Sequence, residues 1–132
     1  MEDLMTYYFA KTVSGSFEDV IERVTAALKD EGFGVLTEID VSATMKKKLD
    51  KDFRPYRILG ACNPQMAWQA LQAEDKIGVM LPCNVIVQQI ANDEVEVAAV
   101  DPVASMSAVG NDSLAGIAAD VRDRLQKVIE GL

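Results

Sequence analysis

The sequence predicts an α+β domain in which a mostly antiparallel sheet is packed on one face by helices. Three observations carry that expectation. Residues 17–28 and 114–132 both place apolar side chains at helical spacing, so each segment presents one stripe that must be buried. Around them stand short runs of β-branched and aromatic residues that alternate with a period of two. Finally, 132 residues with 49% hydrophobic and 26% charged side chains provide for one core, with no room for a second domain of ordinary size. Residues 1–132 are therefore read as a single domain, without internal repeats or a Gly/Ser/Pro-rich linker.

The elements follow in order. Residues 7–13, aromatic and β-branched and bounded by Ser14 and Gly15, form a first strand. Ser16 with Asp19 three residues on resembles a capping box, and Phe17, Val20, Ile21, Val24 and Leu28 then share one helical face. Gly32 stops that helix as a left-handed residue, with Phe33 placed to fold back on the last turn. Val35, Thr37, Ile39 and Val41 alternate with Leu36, Glu38, Asp40 and Ser42, which predicts a second strand. A short charged helical piece is expected within residues 42–52, capped by Ser42 and closed off by Pro55. A third strand over residues 56–62 runs straight into Asn63-Pro64, a favoured cap and first helical residue, so a helix over residues 64–74 starts directly after Cys62. Residues 77–81, 85–90 and 94–100 read as three further strands, the last two joined by a turn at Asn92-Asp93. Ser113 is expected to cap the final helix. The Asn-Asp-Ser pattern at Asn111 reads as helix-start chemistry in preference to a glycosylation site.

Composition removes several chemistries. The chain has no histidine, which excludes a Ser/His/Asp triad, a Cys/His dyad and every histidine metal site within one chain. No phosphate-binding Walker loop and no Cys-x-x-Cys occur, and Gly32-Phe33-Gly34 precedes a strand, so it is no dinucleotide fingerprint. A net charge of −8 repels nucleic-acid backbones and anionic membranes, so neither is expected as a partner. Two widely spaced cysteines in a chain able to build its own core suit a reducing, cytoplasmic setting. Glu2 and Asp3 ahead of Leu4 leave no basic region and no apolar run for a secretory leader, and the apolar stretch at residues 77–87 is too short to span a bilayer.

Three loci stand out. Cys62-Asn63-Pro64 and Pro82-Cys83-Asn84 are two thiols, each followed by asparagine and each beside a proline. Cys62 sits where the free N–H groups of a helix start can lower a thiol pKa or hold an anion, although a small buried hydrophobe beside a cap is the plainer reading. The two loci are expected to converge on one cleft, close enough for a common ligand or a soft metal ion held by Cys62 and Cys83. Asn63 and Asn84 would contribute amides, and Glu38 or Asp40 an oxygen. The second locus packs six of the thirteen basic residues, Lys46, Lys47, Lys48, Lys51, Arg54 and Arg57, into positions 46–57. A small anionic ligand, with Lys48 among its contacts, or an acidic partner could use it, and a solvated face is the ordinary alternative. Glu38 and Asp40, two residues apart on one strand face, form the third.

These residues also resemble a known family. Gly32-Phe33 through Asp40, the basic segment from Met45 to Leu49, Leu59-Gly60-Ala61-Cys62-Asn63-Pro64, Leu81-Pro82-Cys83-Asn84-Val85 and Asp101-Pro102 are similar to the successive blocks of domain-of-unknown-function family 302. The resemblance covers nearly the whole chain. It implies a fold like that of the TATA-box-binding protein, in the order strand, helix, four strands, helix, and a dimer; it implies no particular reaction.

Three functions compete on this reading. The first is a ligand- or metal-responsive binding or sensing module with its site at the two Cys-Asn loci. The second is a thiol-dependent enzyme or redox protein using Cys62 or Cys83, and the third an interaction module built on residues 46–57. A homodimer is expected, because exposed sheet edges in a small apolar-rich chain are best hidden by pairing.

Overall fold

The computed structural model describes residues 6–132; residues 1–5, on which the leader reading rests, lie outside the described part. Five strands, β1 (Tyr8–Ser14), β2 (Gly34–Asp40), β3 (Tyr56–Cys62), β4 (Cys83–Ala91) and β5 (Glu94–Val100), form one sheet in the order β1-β5-β4-β3-β2. Every neighbouring pair is antiparallel. Helix α1 (Phe17–Asp30) links the two edge strands, and α5 (Ala115–Glu130) lies beside it. Three shorter helices, α2 (Val41–Leu49), α3 (Pro64–Ala73) and α4 (Pro102–Met106), fill the connections.

Local chemistry accounts for most boundaries. Ser16 accepts the N–H of Asp19 at the start of α1. At its end Gly32 adopts φ 88°, its N–H reaches Lys29 O, and the N–H of Phe33 reaches back to Leu28 O at 2.9 Å. That is a Schellman stop, and it drives Phe33 into the core. Asn92-Asp93 makes the expected two-residue turn, with Asp93 at φ 59° and its carboxylate accepting the N–H of Gly15.

The two stripes meet one apolar surface. Val20, Val24 and Leu28 of α1 and Val121, Leu125 and Val128 of α5 pack on Leu59, Val85, Val87, Val95, Val97 and Ala99 of the sheet, all in one core. A second, smaller cluster joins Ala70, Ile77, Met106, Leu114 and Ala118 beneath α3 and α4. The opposite sheet face carries an apolar row across all five strands, Ala10, Ala98, Ile86, Ile58 and Ile39 in register.

Four expectations need correction. Residues 77–81 are no strand: Ile77–Met80 is a 3-10 turn that buries Ile77 and leaves Val79 exposed, because a short apolar run directly after a helix fits either period. Asp40, in place of Ser42, caps α2; its carboxylate takes the N–H of Ala43 at 2.9 Å, and the strand passes into the helix with no intervening residue. Ser113 caps nothing. Asn111 takes the N–H of Ser113 and starts a 3-10 turn that leads into α5. Asn111 also donates to Ala73 O and Glu74 Oε1, tying down the end of α3, so the helix-start reading of this residue holds. Finally α4 was not expected, although Asp101-Pro102 carries the same cap-proline signal as Asn63-Pro64.

Candidate binding cleft

Register brings the two cysteine loci to one end of the sheet. Ala61 stands directly opposite Cys83 on β4, so Cys62 and Cys83 lie at the same end of the sheet as diagonal neighbours. Beyond Cys62 the chain turns at once into α3, because Asn63 holds an extended conformation and accepts the N–H of Met66 at 3.2 Å while Pro64 opens the first turn. Cys62 is half-buried, and Cys83, at 8% exposure, is buried. Both are free thiols.

Together they line a cleft of about 300 Å³. Ala61, Cys62, Pro82 and Cys83 come from the ends of β3 and β4, Met66, Ala67, Ala70 and Leu71 from α3, and Met106 from α4. Ile117 and Val121 of α5, with Phe33 and Leu36 at the start of β2, complete it. The lining is almost wholly apolar, and Asn63, its one polar side chain, has its oxygen engaged by the helix cap. Gly32 packs against Asn63: a Cβ at Gly32 would stand 3.0 Å from Asn63 Nδ2, so the glycine that ends α1 also makes room for the residue that starts α3.

Electrostatics separates the thiols. Burial, and then the nearby Cys62, push the Cys83 thiol up to about 11. At neutral pH roughly one Cys83 in ten thousand is ionised, so it is a poor nucleophile and packs as a small apolar group.

Of the residues singled out in the sequence, the fold brings Cys62, Asn63 and Cys83 into one cleft, and leaves three groups elsewhere. Asn84 alternates onto the other sheet face, where it lines a second, larger pocket of about 440 Å³ with Tyr8, Tyr56, Ile86, Gln88 and Glu96. Glu38 and Asp40 pair with the mostly buried guanidinium of Arg57, at 2.9 and 3.6 Å, and Glu18 joins them at 3.3 Å. Arg57 also lies over the Phe17 ring, so this cluster clamps the start of α1 to β2 and β3, with each carboxylate paired to the guanidinium and away from the cleft. Lys48 sits on exposed α2, outside the cleft. The basic run is also partly neutralised, since Lys46 pairs with Asp50 and Asp52 and Arg54 binds Gln88 and lies over Phe53. Sequence reading missed Met66 and Met106 as cleft residues. The signal for Met66 was its place four residues before Ala70 on the inner face of α3; Met106 lies on the unexpected α4.

A two-layer α+β domain with an apolar, thiol-bearing cleft at one end of its sheet is the class of protein this geometry defines. The chain belongs to the family described as Domain of unknown function DUF302, which it matches over residues 9–132. It is similar to the crystal structure of an uncharacterized conserved DUF302 protein from Bacillus stearothermophilus, with 33% identity, a TM-score of 0.86, and coverage of 94% of this chain and 96% of that one. No curated protein matches it. No helix among the described residues is long and apolar enough to cross a membrane.

Proposed function

We propose that the protein is a small binding module whose ligand seats in the Cys62–Cys83 cleft. The observation that carries this reading is the meeting of Cys62, Asn63 and Cys83, from the ends of two adjacent strands, in the wall of one apolar space of about 300 Å³. That volume is at the lower end of the range for small-molecule sites, and a largely apolar wall is what such sites have. The test is titration with the neutral dye N-phenylnaphthylamine. Saturable binding that Ala67→Phe abolishes by filling the cleft, with unfolding midpoint retained, supports the reading. Dye binding that Ala67→Phe leaves unchanged overturns it.

Thiol catalysis draws less support. Cys83 holds its proton far above neutrality, so it can serve neither as attacking thiolate nor as an easily ionised leaving thiol. An interaction role for residues 46–57 is weakened by the ion pairs within that segment. Two free thiols suit a reducing cytoplasmic setting.

The same module is proposed to work as a homodimer through the sheet face opposite α1 and α5. In its favour are the five-strand apolar row and the half-buried Ile58, Ile86, Ala98 and Val100, a surface that can pair with itself about a two-fold axis. The net charge of −8, with Glu96 on that face, speaks against nucleic acid as the occupant. Sedimentation of the wild type as a dimer and of Ile86→Glu as a folded monomer is the expected result; a wild-type monomer at micromolar concentration removes the proposal.

A further inference from the structure

The wall of the cleft narrows the ligand it can take. None of its lining side chains is charged and Asn63 alone is an amide, so a polar ligand would lose water there without replacing its hydrogen bonds. An alkyl chain has no such bonds to lose. With each methylene filling roughly the 30 Å³ of a liquid water, a volume of about 300 Å³ takes about ten carbons. The opening is apolar as well. Leu36 and Leu71 belong to the lining and yet are exposed. Leu36 is the unpaired residue of a β-bulge between Val35 and Thr37, a feature that re-aims a side chain and interrupts the ladder.

Polar groups gather at one edge. Asn63 accepts the N–H of Met66 with its oxygen, and among the described residues its amide nitrogen has no acceptor. Beside it stands Arg124 of α5, seven residues after the cleft residue Ile117 and so on the same helix face. A Cβ on Gly32 would meet Asn63 Nδ2 at 3.0 Å and Arg124 Nη1 at 3.7 Å. The two donors therefore flank one glycine, next to the cleft residue Phe33. Arg124 donates from Nε to Asp120 at 3.2 Å and from Nη1 to Glu31 O at 3.3 Å. Those bonds hold the guanidinium in place, and among the described residues Nη2 keeps both its N–H groups for another acceptor.

We infer that the cleft binds a straight-chain fatty acid of about ten carbons, its alkyl chain in the apolar space and its carboxylate against Asn63 Nδ2 and Arg124. This rests on the reading of the cleft as the ligand site and names the class of its ligand. Chain length and head group then contribute separately: burial of methylenes sets affinity up to the length the cleft holds, and the guanidinium distinguishes a carboxylate from a neutral head.

The experiment is displacement of N-phenylnaphthylamine from the full-length protein by hexanoate, octanoate, decanoate and hexadecanoate, each below its micelle concentration. Affinity should rise about fourfold per methylene up to decanoate and level off beyond it. Arg124→Gln should weaken decanoate about 10- to 100-fold, the worth of a hydrogen bond to a charged group. Neutral 1-decanol should bind wild type and Arg124→Gln alike, which shows that the cleft of the variant is intact. A loss for decanoate no larger than that for 1-decanol overturns the proposal, as does affinity that climbs to hexadecanoate without levelling. The dye keeps the two readings apart. Dye that Ala67→Phe excludes but no alkanoate displaces removes the fatty-acid site alone, and dye binding indifferent to Ala67→Phe removes both readings.

Discussion

Cys62-Asn63 and Cys83-Asn84 are the same dipeptide at the ends of adjacent strands, and the fold treats them oppositely. In the first, the strand ends: Asn63 leaves the sheet and caps α3, and Cys62 is half-buried at the cleft. In the second, the strand begins, so alternation sends Cys83 into the core and Asn84 to the other face. Identical chemistry, read through different local backbone, gives one helix start and one strand start. A repeated motif therefore marks a place in the chain, and register decides which of its side chains share a site.

The comparison can be broken most forcefully where the two loci touch. Gly60 lies two residues before Cys62, and a Cβ there would collide with Thr37 Oγ1 and stand 2.8 Å from Pro82 Cγ. Gly60→Ala should cost about 3 kcal/mol in urea unfolding, an overpacking penalty, whereas Gly34→Ala, where a Cβ meets open space, should cost less than about 1 kcal/mol. Equal costs would mean that the two strand ends are not pressed together as described.

A second contrast separates the thiols by acidity. The folded Cys83 keeps its proton to about 11 against an ordinary value of 9.0, through burial and then Cys62. Between those values the unfolded chain loses that proton first, so the folded state binds more protons and stability falls as pH rises from about 9 to 11. Below pH 9 the contribution is complete and flat. The loss amounts to about 2–3 kcal/mol and should vanish in Cys83→Ala, measured as the difference in unfolding free energy between wild type and variant across that window. A Cys83→Ala profile parallel to that of the wild type would contradict the buried, neutral thiol.

Substitution to serine sharpens the same difference at neutral pH. Cys83→Ser buries a hydroxyl among apolar groups and should destabilise by about 2 kcal/mol, while Cys62→Ser, half-exposed, should cost less than about 1 kcal/mol. The smallest effect lies with the asparagines. Asn63→Ala removes a helix cap and should cost about 1 kcal/mol, Asn63→Asp should keep most of it, and the exposed Asn84→Ala should stay within about 0.5 kcal/mol. A larger loss at Asn84 than at Asn63 would reverse the assignment of the two dipeptides.

The division between what was legible and what was not follows the range of the interactions. Ser16, Gly32-Phe33, Asn63-Pro64 and Asn92-Asp93 each determine a boundary through hydrogen bonds or dihedral preferences within about five residues, and the structure has all four. The helix stripes at Val20 to Leu28 and Val121 to Val128 were equally plain, because a period of 3.6 or 2 is a property of the chain itself. Where two local signals competed, sequence reading failed. Ile77–Met80 is too short for its period to decide between strand and turn, and the carboxylate of Asp40 captured the cap position expected for Ser42.

The sequence by itself determined the α+β class, five of the strands and every α-helix but α4. Only tertiary structure decided the rest. It brought the two cysteine loci to one end of the sheet through the β3–β4 register, placed Asn84 on the far face, gave Glu38 and Asp40 to Arg57, and brought Met66 and Met106 into the cleft wall. Those assignments depend on strand register and on helices packed from distant parts of the chain, such as Gly32 against Asn63 and Asn111 against Ala73. No local pattern encodes them, because the free energy that fixes them comes from burying surfaces that meet only when the whole sheet is formed.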